Sequence, residues 1–149
     1  MAKLITVEKG YNELFNGIVT IIKQSRIVAA TDANKIIGNM YFNIGKMITV
    51  KQDEFGWGKS VVEKLSADLT GIFDGRDGFS AQNLWFMRQF YLEYKDHSSL
   101  LKLALNIPWG QNILIISKIK DIKEREYYLK ATAGNAWSRN VLLNQMALF

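Results

Sequence analysis

The chain has 149 residues, enough for one domain with its own core, and its 48% hydrophobic and 22% charged residues exclude a disordered polypeptide. It holds no cysteine, which excludes disulfides and thiolate chemistry, and no apolar run approaches the roughly 20 residues a membrane span requires. The net charge of +5 suits a polyanionic partner without demanding one.

Helical signals dominate from the start. Leu14, Ile18, Ile21 and Ile22 share one face of a first segment, about Val7 to Ser25. A second and longer helix is predicted from about Asp32 to Gln52, where Ile36, Ile37, Met40, Tyr41, Ile44, Met47 and Ile48 keep the same rhythm. The run 53-DEFGWG-58 ends it. Ser60 and Glu63 have the spacing of a capping box and open a helix that buries Val61, Val62, Leu65, Leu69 and Ile72. The glycines of 74-DGRDG-78 stop that helix, and Ser80 caps the next, whose core face is Leu84, Met87, Tyr91 and Tyr94.

The stretch 100-LLKLALNIPW-109 is less regular and contains the only proline. A helix is expected from Trp109 to Lys118, although the β-branched run around Ile113 to Ile116 also fits a buried strand, so a short β-hairpin near residues 100–117 stays open. Asp121 and Glu124 signal another capped helix ending near Gly134, and Ser138 caps a last one through Leu148. No linker, repeat or low-complexity tract appears. The fold class is mainly α, one compact helical domain over 1–149 with a helix–turn–helix core. The end, 141-VLLNQMALF-149, is apolar and predicts a natural continuation.

Chemistry-bearing patterns are sparse. His97 is the only histidine and lies in a predicted loop, so neither a zinc site nor a Ser-His-Asp triad has its parts. The triplet 58-GKS-60 imitates the end of a phosphate-binding loop, but Asp53 stands where that loop needs glycine. Glu93 and Lys95 spell the E-x-K of metal-dependent nucleases, with Asp77 upstream, yet they end a helical pattern where that chemistry uses a strand. No catalytic set, metal site, cofactor or small-molecule substrate is expected.

The pair of helices Ser60–Phe73 and Ser80–Tyr94 reads better, as a helix–turn–helix. Its second helix would offer Gln82, Asn83, Arg88 and Gln89 to base edges or backbone, because Gln and Asn bond adenine and Arg bonds guanine. Lys59, Lys64, Arg76 and Arg139 would hold phosphates. The charge distribution is a counterweight. Residues 56–95 carry five Lys/Arg and five Asp/Glu, whereas 1–55 carry seven against five and 96–149 seven against four. The same helices could simply pack as a hairpin, and Trp85 and Phe86, away from the centre of the core face, could stack on a base or meet another subunit. The alternative to DNA binding is therefore a protein-interaction or dimerisation module.

Five ordered stretches resemble one family: 39-NMYFNIGKMI-48, 56-GWGKSVVEKLSADL-69, 78-GFSAQNLWFMRQFY-91, 107-IPWGQNILIISKIKD-121 and 127-YYLKATAGNAWSRNVLLNQM-146. They look like the N-terminal domain of the YhcG-type bacterial proteins, whose C-terminal half is a PD-(D/E)XK nuclease domain. The similarity runs from about residue 10 to 146. It departs at Asp74, where proline is frequent, and at 134-GNA-136, where a charged residue is usual. The resemblance implies a winged-helix-like module that binds DNA and delivers the nuclease. It implies a catalytic domain beyond residue 149 and no catalytic duty for Glu93 and Lys95, while the lack of cysteine, signal-peptide pattern and apolar span favours a cytoplasmic location. Trp57, Trp109 and Trp137 are expected in the core, where an indole buries a large apolar area.

Overall fold

A computed structural model describes residues 2–73 and 78–148. Among these residues there are seven helices and no strand: α1 (Ala2–Phe55), α2 (Lys59–Ile72), α3 (Ala81–Tyr94), α4 (Ser98–Ala104), α5 (Trp109–Lys118), α6 (Ile122–Asn135) and α7 (Arg139–Ala147). Among the described residues no helix is long and apolar enough to cross a membrane. The chain divides into two compact units, Met1–Ala33 and Asn34–Phe149.

The two helices expected between Val7 and Gln52 are one. The intervening 26-RIVAAT-31 contains neither Gly nor Pro, so no local signal stops the first before the second begins. The hydroxyls of Thr20 and Thr31 bond the carbonyls of Asn16 and Ile27, one turn back. Gly56, at φ 66°, sits just past the end of α1 and donates its N–H to the Gln52 carbonyl at 2.8 Å, a glycine C-cap.

The second unit is built around α3. Its Leu84 and Met87 meet Ile48 of α1 and Val62 of α2 in one apolar cluster. Its Phe90 and Tyr94 belong to a larger one, with Leu100 and Ala104 of α4, Leu114 to Ile116 of α5, Tyr128 and Leu129 of α6 and Leu142 of α7. The buried face of α3 is thus Leu84, Met87, Phe90 and Tyr94, with Tyr91, predicted in place of Phe90, half-buried. Trp109 packs against both clusters, its ring edge-on to Tyr41 at 4.7 Å and to Phe90 at 5.1 Å.

Capping decided several boundaries as expected. Ser80, Asp121 and Ser138 each accept the backbone N–H three residues on, from Asn83, Glu124 and Val141. Ser60 does not cap α2. Gly58 occupies the cap position without a side-chain bond, Ser60 lies inside the helix, and Glu63 pairs with Lys59 at 3.9 Å instead. The hairpin left open near 100–117 is α4, a turn, and α5. The turn is held by the buried Asn112, whose amide donates to the carbonyl oxygens of Ala104 at 2.8 Å and Ile107 at 3.4 Å. Those bonds satisfy carbonyls that a strand ladder would otherwise have to serve.

Arg125 is the least expected core residue, only 1% exposed. Its Nε donates to the Ile119 carbonyl at 2.6 Å, one terminal nitrogen to that of Ile116 at 3.4 Å, and the other to a Glu93 carboxylate oxygen at 2.6 Å. One guanidinium therefore ties the start of α6 to the C-terminal carbonyls of α5 and to α3. It lies on the inward stripe Arg125, Tyr128, Leu129 and Thr132, which was readable in the sequence as a helical spacing with a charge in it.

Tyr94 beside it is fully buried, and its hydroxyl has no hydrogen-bond partner among the described residues. Burial pushes the phenol from 10.0 up to about 12, against a smaller opposing pull from Arg125. The folded state then holds this proton more tightly than the unfolded chain. The resulting stability is intact below pH 10 and is lost as the pH rises towards 12. Compared with Tyr94→Phe, the wild type should lose an additional 2–3 kcal/mol or so across that window, measured by urea denaturation at fixed pH values. At pH 7 the phenylalanine variant should be as stable or about 1 kcal/mol more stable, since it deletes an unpaired polar group. Parallel losses in the two proteins would refute this account.

Candidate nucleic-acid interface

The predicted reading helix is formed, and its residues have separate fates. Gln82 is exposed in the first turn of α3, and Gln89 is half-buried two turns later. Asn83 points inward. Its amide nitrogen donates to the Gly78 carbonyl at 2.7 Å, and its amide oxygen accepts from the Trp109 indole at 2.7 Å. Both ends of the side chain are thus engaged within the fold, so Asn83 holds the turn before α3 and seats Trp109 rather than offering a free amide to a base. Arg88 donates through Nε to Gln52 of α1 at 2.6 Å and lies over the Trp85 ring at 5.4 Å. Its substitution would disturb the α1–α3 contact as well as any ligand.

Trp85 and Phe86 are half-buried, and Trp85 packs on the cluster of Leu84 and Met87, so the two do not form the exposed patch expected of them. Trp109 and Trp137 pack on the core as expected. Trp57 does not. It is 42% exposed, stacks on Phe55 at 4.9 Å, and lines an apolar cavity of about 220 Å³ with Met47, Ile48 and Leu65.

The predicted phosphate-holding residues are dispersed. Lys59 and Lys64 are exposed on α2, each already beside a carboxylate: Glu63 at 3.9 Å and Asp68 at 2.9 Å. The hydrogen bond to Asp68 raises the pKa of Lys64, so this ammonium stays charged but its field is largely compensated. Arg76 and Asp77 lie outside the described residues, as do Asp74 and Gly75 of the predicted turn. The connection from Phe73 to Ser80 is longer than the roughly 3–4 residues typical of a helix–turn–helix. Glu93, the acid of the apparent nuclease triplet, is the partner of Arg125. Among the described residues no group of three His, Asp or Glu side chains could hold a metal ion.

Arg139 is better placed than the spacing suggested. It is exposed in the first turn of α7, and its Cδ lies 3.7 Å from where a Cβ on Gly110 would sit, over the first turn of α5. Gln111 of the same turn donates to the Trp137 carbonyl at 3.1 Å, just before α7. The Asn83–Trp109 bond joins the first turn of α5 to the first turn of α3. The N-termini of α3, α5 and α7 are therefore linked by direct contacts, with Arg139 and Gln82 exposed on two of them. Each contributes the partial positive charge of a helix start, with one N–H of α3 and one of α7 already taken by Ser80 and Ser138.

Residues 17–148 match the DUF1016 N-terminal domain. The chain belongs to that family. A curated relative in Escherichia coli (strain K12), named "Putative nuclease YhcG", is 31% identical over an alignment of 172 residues. The alignment takes in 93% of this chain and 45% of the relative, so the chain spans less than half of that protein's length. No solved structure matches. Membership in the DUF1016 N-terminal domain family agrees with the family read from the five motif stretches. The matched range includes all of α2 to α7 and begins within α1.

Proposed function

We propose that this DUF1016 N-terminal domain is a DNA-binding helical module that directs an attached PD-(D/E)XK nuclease domain to its substrate in the cytoplasm. In this reading α2 and α3 are the helix–turn–helix pair, and the winged-helix comparison extends to that pair only, because no strand occurs among the described residues. The chain itself supplies binding, and the chemistry belongs to the nuclease domain.

The observation that carries the reading is the linked set of N-termini of α3, α5 and α7, with Arg139 of α7 over the first turn of α5. Backbone N–H groups at a helix start point along the axis and favour an anion, and a nearby guanidinium adds a planar, multiply donating positive charge. A phosphodiester backbone offers repeated anions to such N-termini, and Gln82, exposed in the first turn of α3, would touch a base edge or sugar. The nuclease name carried by the E. coli relative adds support.

The experiment is fluorescence anisotropy of a labelled duplex against the whole chain at several salt concentrations. Arg139→Glu with Gln82→Ala should weaken binding about tenfold or more, and the salt slope should fall by about 1. Both residues are exposed, so the thermal midpoint should stay put. Unchanged affinity and slope in the double variant would remove this corner from the site, and wild-type protein that binds no duplex at low salt would end the DNA-binding reading.

A further inference from the structure

The first unit consists of the N-terminal part of α1, and its apolar residues are uncovered. Leu4, Val7, Tyr11, Leu14 and Ile21 are each more than 60% exposed. A helix that leaves such a face in water gains nothing from tertiary packing, although burial of an amphipathic face is what normally stabilises helices in proteins. Most of the apolar positions keep one repeat, with Ile5, Val19 and Ile27 outside it. Leu4, Tyr11, Ile18 and Ser25 recur every seven residues, and Val7, Leu14, Ile21 and Val28 recur every seven residues three places on. These are the a and d positions of four heptads, with one polar residue, Ser25, among the eight. The face between them and solvent is polar at Lys9, Asn16 and Lys23, the f positions.

A strict seven-residue repeat implies a left-handed supercoil with another helix, because an unpartnered straight helix would let the seam drift round its surface. The repeat also stops where the unit stops. The next a and d positions are Asp32 and Lys35, at the boundary after Ala33. The first two heptads lie largely ahead of the family match, which begins at residue 17.

We propose that residues 4–28 of α1 form a parallel, in-register two-stranded coiled coil with a second copy of this chain. The flanking positions argue for this partner and this direction. In a parallel pair each g residue faces the e residue five places further along the other strand. That sets Gly10 against Phe15 and Gly17 against Ile22 of the second copy, small against large twice in succession. Both glycines have open space where a Cβ would stand, with nothing within 4 Å. An antiparallel pair would put Phe15 and Ile22 on one flank and the glycines together on the other, leaving that flank unfilled. A repeat complementary to itself closes as a two-fold dimer. The seam would be about 40 Å long at the rise of an α-helix, and Ser25 would meet its own copy near one end, pinning the register.

The absence of cysteine makes the test direct. Sedimentation equilibrium on the whole chain should give twice the chain mass. Leu14→Asp with Ile21→Asp should return it to one chain mass while the thermal midpoint of the second unit holds, since neither residue belongs to that unit. Ser25→Cys should crosslink two copies on mild oxidation, because a-position backbones in a parallel pair lie within disulfide reach. A wild type that stays at one chain mass at all concentrations, a mass other than two chains, or a dimer indifferent to the double aspartate would overturn the proposal. A dimer whose Ser25→Cys form does not crosslink would overturn the parallel register. None of these readouts depends on DNA, so the proposal and the DNA-binding reading fail separately.

Discussion

Replacing Arg125 with alanine should destabilise the protein by about 3–5 kcal/mol, the range found when one member of a buried ion pair is removed. The side chain is 1% exposed and makes three bonds, two to the last carbonyls of α5 and one to Glu93. Alanine leaves those carbonyls without a donor and a cavity where the guanidinium lay, and both costs add. Lysine should rescue little, since a single ammonium cannot reproduce a planar fork aimed at three acceptors. Glu93→Gln should cost less than Arg125→Ala, because Glu93 keeps a third of its side chain in water and its amide can still accept one bond. The measurement is the urea midpoint with the slope held constant. A loss below about 1 kcal/mol for Arg125→Ala would mean that the junction of α3, α5 and α6 is held by apolar packing alone.

Gly45→Ala is the second large effect. α1 and α3 approach so closely at this point that an added Cβ would overlap the Met87 carbonyl oxygen and lie 2.6 Å from its carbon and 3.1 Å from the Arg88 nitrogen. All three atoms are backbone and cannot swing away as a side-chain tip would. α1 must therefore lift from α3, and the cluster of Ile48, Leu84 and Met87 opens with it. Overpacking of this kind costs about 1–3 kcal/mol, occasionally more, and it overrides the roughly 1 kcal/mol that alanine gains over glycine inside a helix. Gly71→Ala in α2 is the control, since nothing stands within 4 Å of its Cβ position. That variant should be neutral or up to about 1 kcal/mol more stable. Equal effects of the two substitutions on the thermal midpoint would sink the close-approach argument.

These two residues also bear on function. Glu93 is held by Arg125, so the acid of the apparent E-x-K has a structural duty. Gly45 sets the depth at which α3 lies against α1, and Arg88, next to Met87, reaches Gln52 across that contact. The exposed start of α3, with Gln82, is thereby presented from a helix clamped on its inner side.

What the sequence by itself determined is local. Ser80, Asp121 and Ser138 were readable as caps because a cap bond spans three residues, and Leu84, Met87 and Tyr94 of α3 were readable as core because a helix repeats every 3.6. Even locally the reading failed where two signals competed. Ser60 with Glu63 had the spacing of a capping box, but α2 begins a residue earlier, at Lys59, and the glutamate pairs with that lysine. The β-branched run at 113–116 suited either a strand or a helix, and burial among α3, α6 and α7 selected the helix.

Tertiary structure decided everything that depends on partners distant in the chain. Asn83 looked like a base reader because its amide fits adenine; Trp109, 26 residues on, takes its oxygen. Arg125 is a charge buried in the core; Glu93, 32 residues back, and the end of α5 make its burial tolerable. Arg139 was placed by its cap, but only packing brings it over the first turn of α5. The heptads at the start of α1 show the same division from the other side. Their spacing is written in the sequence, yet only the fold shows Leu4, Val7, Tyr11, Leu14 and Ile21 exposed on a helix of their own unit. A side chain's type and spacing follow from a few adjacent residues, whereas its burial and its hydrogen-bond partner are set by which surfaces the whole chain brings together.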